Sequence, residues 1–362
     1  MNDLAKRFPQ NPLLKPADLK ASSAGLQIAC LLNPGVFSFN NKIWLLVRVA
    51  ERPPQSKVVI SFPVKNALGN TEIMELPLND ADLIATDARV INYKGEDYLT
   101  TLSHLRMLCS DDGIHFTEND AYPALHGQGV LETFGIEDCR VSCVDGLYYL
   151  CFTAVSGNGV GVGLKTSRDW QQFESHGMIL PPHNKDCAIF EKKINGKFYA
   201  FHRPSSVQLG GNYIWLMESP DGIHWGHHRC IVKTRKDKWD SARVGAGAAP
   251  IETNEGWLEI YHGADSAHRY CLGAFLLDKN DPSIVLARSD EPIMIPSEPY
   301  ELSGFFGHVV YTNGHVLQPD NDTLTVYYGA ADEFVCAANF SIKEILKTLI
   351  KGIINIIIGR RT

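Results

Sequence analysis

The stretch that decides the fold is DGLYYLCFTAV, residues 145–155, a tight Asp-Gly turn followed by a run dominated by aromatic and apolar residues. Asp-Gly is a strong short-range turn signal, and a run of this composition reads as a buried strand. The same unit recurs as NNKIWLLVRV from residue 40, KGEDYLTTLSHL from 94, NGKFYAFHRP from 195, EGWLEIYHGA from 255 and DNDTLTVYYGAA from 320. An interval of roughly 50–65 residues suits one four-stranded propeller blade per repeat. A second mark follows several of these strands: SDDGIHF at 110–116, SRDWQQF at 167–173 and SPDGIHW at 219–225. Ser, Asp and Gly make the turn, and the aromatic residue after it is expected to fill the seam between blades. The pattern predicts an all-β propeller of about five or six blades over residues 1–340, with no linker rich enough in Pro, Gly or Ser to divide it.

The pattern breaks at FSIKEILKTLIKGIINIIIGRRT, where Ile342, Ile345, Leu346, Leu349, Ile350 and Ile353 fall at helical spacing. Residues 341–362 are predicted as an amphipathic helix that packs on the propeller. Its apolar end is shorter than the about 20 residues that a membrane span needs. The net charge of −7, with no basic block, argues against nucleic acid or an anionic membrane as the partner and favours small polar substrates. Nine scattered cysteines without a C-x-x-C pair fit neither a disulfide framework nor a zinc site. With an N-terminus that lacks a secretory apolar core, they point to a reduced, cytoplasmic protein.

Propellers bind ligands where strands from several blades converge, so functional residues should be spread along the chain. Polar groups do stand at one phase of successive repeats: Asn33 in LNPG, Arg48 in LLVRVAERP, Asp138 in GIEDCRV, Lys185 in HNKD, Arg203 in FHRP, Arg243 in ARVGAG, His262 in IYHGAD and Asp332 in YYGAAD. Each lies in or beside a strand built for burial, where a charge needs a partner, a solvated cavity or a ligand. Glu137 and Asp138 are adjacent, and strand alternation predicts that only one of them faces the channel.

The run LNPGVF, LLVRVAERP, GIEDCRV, HNKDCAIFE, FHRPS, LGGNYIWL, RVGAGAAPI, GWLEIYHGAD, YYGAAD, from about residue 30 to 340, resembles glycoside hydrolase family 130, the β-mannoside phosphorylases and β-mannosidases. The resemblance implies a five-bladed propeller, which matches the repeat count if the first and last repeats share a closing blade. It implies that Asp138 is the proton donor, that Lys185, Arg203, Arg243 and His262 bind phosphate with Tyr270 beside it, and that Asn33, Arg48 and Asp332 grip mannose hydroxyls. The implied reaction is an inverting attack of inorganic phosphate on a β-mannoside, β-1,2- or β-1,4-linked, giving α-mannose 1-phosphate. Phosphate arrives as an anion and needs no second carboxylate to activate it, and the implied set calls for no metal or organic cofactor.

The sequence departs from the family pattern at Cys139 and Glu191, where many members have proline, and at Lys185 and Arg243, where the charge is kept. In a hydrolase of the same family, a β-1,2-mannosidase, a glutamate activates water, and Glu191 is the candidate base for that reading. A propeller that only binds carbohydrate is the alternative outside enzymes; an acid beside four cations argues against it. The loops at 205–213 and 265–270 are expected to face the acceptor sugar. The segment from Glu51 to Val90 is read either as a cover for the site or as a contact in a homo-oligomer.

Overall fold

In the computed structural model, residues 3–66, 69–85, 89–205 and 210–359 are described, with side chains through residue 350. The Asp145-Gly146 pair forms the expected turn, both residues with positive φ (52° and 74°), between strands Ile136–Val144 and Leu147–Ser156. The chain is nearly all β, and two of its elements are α-helices, Pro299–Leu302 and Ile342–Gly359.

The strands form five antiparallel units, numbered here as sheets I to V. Sheet I contains Gln27–Phe39, Lys42–Arg52, Leu102–Ser110 and Thr117–Glu118. Sheet II contains Ile136–Val144, Leu147–Ser156, Gly159–Ser167 and Glu174–Leu180. Sheet III contains Asn184–Ile189, Phe198–Pro204, Ile214–Ser219 and Gly226–Val232. Sheet IV contains Arg243–Ala246, Trp257–Ala264, Tyr270–Leu277 and Val285–Arg288, with Ile251–Glu252 pairing beside them. Sheet V contains Val310–Leu317, Thr323–Ala330, Phe334–Ser341 and the N-terminal Lys6–Arg7. A single parallel pair, Gly35 with Asn313, joins sheets I and V into one eight-stranded sheet.

The apolar clusters occupy the seams between successive sheets, which is why the strands read as almost continuous apolar runs. Phe37, Trp44 and Trp170 lie between sheets I and II, and Phe190, Trp257 and Phe275 between III and IV. The turn aromatics behave as expected: Trp170 stacks on Phe37 at 3.7 Å between ring centres, and Phe116 meets Tyr327 edge-on at 5.6 Å. Ile342, Ile345, Leu346 and Leu349 of the C-terminal helix are buried against sheets IV and V. No helix among the described residues is long and apolar enough to cross a membrane.

The repeat at Lys94 does not make a sheet of its own. Its first half, Glu96–Leu99, joins a small sheet with Leu83–Ile84 and Val90–Tyr93, and its second half becomes the third strand of sheet I. The first and last repeats stand in one eight-stranded sheet, joined at Gly35 and Asn313, and the N-terminal Lys6–Arg7 pairs with Phe334–Ser341 at its edge. The segment after Glu51 builds a separate small core around Phe62, Leu76 and Ile91.

Candidate active site

The first strands of the five sheets run in a common direction between two cavities. Asn33, Asp138, Lys185 and Tyr311 line one, while Phe37, Cys143, Glu191 and His315, further along the same strands or just past their ends, line the other. Three of these strands carry the same irregularity near the first cavity. Their register slips between Leu32 and Gly35, between Glu137 and Arg140, and between Lys185 and Ala188. Asn33, Asp138 and Asp186 sit in these bulges with φ of 33°, 47° and 54°. A bulge breaks alternation and re-aims a side chain. Consequently Glu137 and Asp138 both line the cavity, contrary to the alternation expected of adjacent strand residues.

Arg48 receives both acids in a fork: Nη2 donates to Glu137 Oε1 at 2.7 Å and Nη1 to Asp138 Oδ1 at 3.0 Å. Its Nε donates to Ser103 Oγ at 3.0 Å, and Asn33 Nδ2 also donates to Asp138 Oδ1 at 3.0 Å. Gly329 permits this approach, since a Cβ there would lie 2.1 Å from Asn33 Oδ1. Burial pushes the Asp138 carboxyl up, but Arg48, Arg140 and the Asn33 hydrogen bond outweigh it and hold the group below its ordinary range. Burial, with Asp138 adding to it against the pull of Arg48, raises Glu137. Asp332, across the cavity, is pushed up to about 6 by burial, with Arg48 opposing.

The cationic side of this ≈ 290 Å³ cavity is made by Lys185, Arg203 and Arg243, with Tyr270 accepting from Arg243 Nη1 at 2.9 Å. Burial and the neighbouring Arg203 lower the Lys185 ammonium. Arg243 Nε is buried and makes no aligned hydrogen bond among the described residues, whereas Arg203 Nε is turned to an ion pair with Asp186. Buried polar groups are almost always satisfied, so an orphan beside a cavity marks a place for a ligand. Donors of this type suit an oxyanion.

Beneath the cavity lies Asp186, 1% exposed. Arg203 Nε stands 2.7 Å from its Oδ2, Arg140 Nη2 3.2 Å from Oδ1, and Tyr311 Oη donates to Oδ1 at 3.0 Å. Arg140 is fixed further by the carbonyls of Asp138, Ala246 and Gly247. His262 is fully buried with Nε2 3.3 Å from Asp186, and burial pushes it down to about 4, so its ring is neutral. A Cβ on Gly245 would fall 2.2 Å from Asp186 Oδ2 and 2.4 Å from His262 Nε2, so only glycine allows that contact.

The structure thus brings together Asn33, Arg48, Asp138, Lys185, Arg203, Arg243, Tyr270 and Asp332 on one cavity wall. It sets His262 behind that wall, in contact with Asp186. Glu191 is not there. It is exposed and lines the other cavity, where its Oε1 accepts the N–H of Cys143 at 2.9 Å. Six residues of chain separate it from Lys185, a span of up to about 20 Å along a strand. A base must reach the group it deprotonates, so the candidate role of Glu191 is incompatible with this position. Asp186 and Tyr311 were not singled out in the sequence, although KDC at 185–187 repeats EDC at 137–139 and carries the same bulge. Of the segment from Glu51 to Val90, its last two residues, Arg89 and Val90, line the cavity beside Leu99 and Thr101. Of the loops expected to face the acceptor, 206–209 lie outside the described residues, and 265–270 delivers Tyr270 to the cavity.

Comparison with known proteins gives a consistent set of relatives. A family profile described as β-1,4-mannooligosaccharide phosphorylase matches residues 79–351. A β-1,2-mannobiose phosphorylase of Listeria innocua serovar 6a is 43% identical, over 95% of this chain and 98% of that protein. A 1,2-β-oligomannan phosphorylase of Thermoanaerobacter sp. is 38% identical, over 67% of this chain and 80% of its own length. Among solved structures, the Listeria innocua enzyme in complex with β-1,2-mannobiose superposes with a TM-score of 0.91 at 42% identity, covering 95% of this chain and 99% of the other.

Proposed function

This chain belongs to glycoside hydrolase family 130, and from that premise we propose that it is an inverting phosphorylase that cleaves β-mannosides with inorganic phosphate to give α-mannose 1-phosphate. The observation that carries the reading is the cluster of three cations, Lys185, Arg203 and Arg243, on the wall of a cavity that also holds Asp138. The β-1,2 linkage is the one we assign, on the likeness to the β-1,2-mannobiose and 1,2-β-oligomannan phosphorylases. The five sheets are read as blades of a five-bladed propeller over residues 1–340, one catalytic domain with a C-terminal helix at 341–362. Nine free cysteines fit a reducing, cytoplasmic setting.

In this reading Asn33, Arg48 and Asp332 grip the mannose unit that is transferred, and Lys185, Arg203 and Arg243 hold phosphate against the face opposite the departing sugar. Tyr270 steadies Arg243, and His262 acts from behind through Asp186. Positioning replaces base catalysis, because phosphate is a nucleophile as it arrives. Asp138 supplies the proton, by way of a sugar hydroxyl. The free enzyme holds its carboxyl low through cations that include Lys185; a bound phosphate offsets that positive potential and lets Asp138 take up a proton before the glycosidic bond breaks. The hydrolytic reading lacks support from Glu191, which lies at the other mouth.

The experiment is a product assay with β-1,2-mannobiose and β-1,4-mannobiose, with and without phosphate, followed by phosphorus NMR. Phosphate-dependent α-mannose 1-phosphate from the β-1,2 substrate is the expected result. Free mannose released at the same rate without phosphate would refute the phosphorylase.

A further inference from the structure

Glu137 and Asp138 are neighbours in the chain, and the reaction assigns a task to Asp138 alone. Strand alternation would turn Glu137 away from the cavity; the bulge between Glu137 and Arg140 brings it to the same wall as Asp138. Arg48 joins the two acids, with Nη2 2.7 Å from Glu137 and Nη1 3.0 Å from Asp138, and the side chains of Arg48, Glu137 and Asp138 are 15%, 13% and 15% exposed. The fork is fixed at its base. Arg48 Nε donates to Ser103 Oγ, and Ser103 bridges to Gly135, two residues ahead of Glu137. That contact is so close that a Cβ on Gly135 would lie 2.3 Å from the Ser103 carbonyl oxygen.

Arg48, Arg140 and Lys185 all favour the ionised form of Asp138. A proton donor must carry its proton when the bond breaks, and each cation opposes this unless another charge offsets it. Arg140 has Asp186, whose Oδ1 lies 3.2 Å from its Nη2. Lys185 has the incoming phosphate. Arg48 is assigned to the sugar, which brings no charge, and the carboxylate in hydrogen-bond contact with it besides Asp138 is Glu137.

We propose that Glu137 is a positioning residue for the catalytic proton: the two carboxyls share one proton across Arg48, and the negative charge of Glu137 keeps the arginine occupied while Asp138 carries that proton. The proposal rests on the phosphorylase reading and adds to it the group that arms the acid. The remaining charges around the pair act on both members. Lys185 and Arg89 add to Arg48 in favouring the Glu137 carboxylate, while Asp332 repels both acids, and the Tyr311 hydroxyl faces Asp138 from sheet V. Protons balance over a turnover, because hydrogen phosphate loses its own proton on becoming the sugar phosphate dianion, and this replaces the one given to the departing sugar.

The test is the pH profile of kcat for phosphorolysis of β-1,2-mannobiose, with both substrates saturating, in the wild type, Glu137→Gln and Glu137→Asp. Turnover falls at high pH as Asp138 of the loaded enzyme loses its proton. In Glu137→Gln the arginine has only Asp138 to pair with, so the alkaline limb should move down by about one pH unit, about a 10-fold loss of proton affinity. Glu137→Asp keeps the charge on a shorter side chain, and its limb should lie between the other two; if the Gln variant does not fold, this smaller downward move alone carries the test. An unmoved limb, with kcat lowered by one factor at every pH, would overturn the proposal and leave the phosphorylase standing. A folded Glu137→Gln protein with no turnover at any pH would do the same. If the wild type forms no α-mannose 1-phosphate with phosphate present, the phosphorylase reading falls and this role with it.

Discussion

Two buried aspartates, Asp240 and Asp186, are built from the same parts to opposite ends. Asp240 is 0% exposed and receives Arg235, Arg288 and the hydroxyl of Tyr261. Asp186 is 1% exposed and receives Arg203, Arg140 and the hydroxyl of Tyr311. Around Asp240 the circle closes: Arg288 also donates to Tyr261 Oη and the Lys233 carbonyl, and no cavity adjoins it among those described. Around Asp186 the circle is open, since Arg203, which pairs with it, also lines the catalytic cavity, and His262 has no aligned partner on either nitrogen. A buried charge cluster by itself says little about function. What separates the two is the cavity that one of them adjoins.

The largest expected effect tests the acid that the open cluster serves. Asp138→Asn should reduce kcat for phosphorolysis by about 10³-fold, the range for loss of a general acid. Unchanged turnover would move the proton donor elsewhere in the cavity.

The comparison itself is broken or sharpened by Asp240→Asn and Asp186→Asn measured side by side. Each leaves buried arginines without their carboxylate, a loss of about 3–5 kcal/mol for a broken buried pair. Phosphate should raise the melting temperature of the Asp186→Asn protein more than that of the wild type, because the anion takes over part of the missing charge. The Asp240→Asn protein should gain no more from phosphate than the wild type gains. Equal phosphate gains in the two variants would make both clusters structural.

A smaller effect concerns pH. Asp332 titrates at about 6 in the free protein, so if its carboxylate grips mannose, kcat/KM for the mannoside should rise as pH increases through about 6, and Asp332→Asn should flatten that limb. The sign for stability is the reverse. The folded chain keeps a proton that the unfolded chain, with its ordinary value of 3.8, has released, so this contribution is lost as pH rises from about 4 to about 6. The smallest effect belongs to the distant mouth: Glu191→Gln should change phosphorolysis by less than about twofold, and a larger loss would bring the second cavity into the reaction.

Much of this was legible in the sequence, for identifiable reasons. The turn-and-strand repeats gave the five sheets, since period and turn chemistry are local properties. The cationic residues on the cavity were visible because charge in an apolar strand is costly wherever it stands. The bulges were not visible: nothing in EDC or KDC signals a positive φ, so alternation misplaced Glu137 and left Asp186 unnoticed. The distance of Glu191 from the cations was not visible either, because sequence proximity to Lys185 hides the length of a strand. His262 was seen as a cation, but full burial leaves it a neutral ring behind the wall.

The most direct measurement is the initial rate of β-1,2-mannobiose cleavage against phosphate concentration, for the wild type and for Arg243→Gln. The account predicts no cleavage without phosphate and saturation with it in the wild type. In the variant, the phosphate KM should rise about 10-fold or more while the mannobiose KM moves little. Cleavage that proceeds equally without phosphate, or a variant whose phosphate KM is unchanged, would contradict the assignment of the open cluster to phosphate.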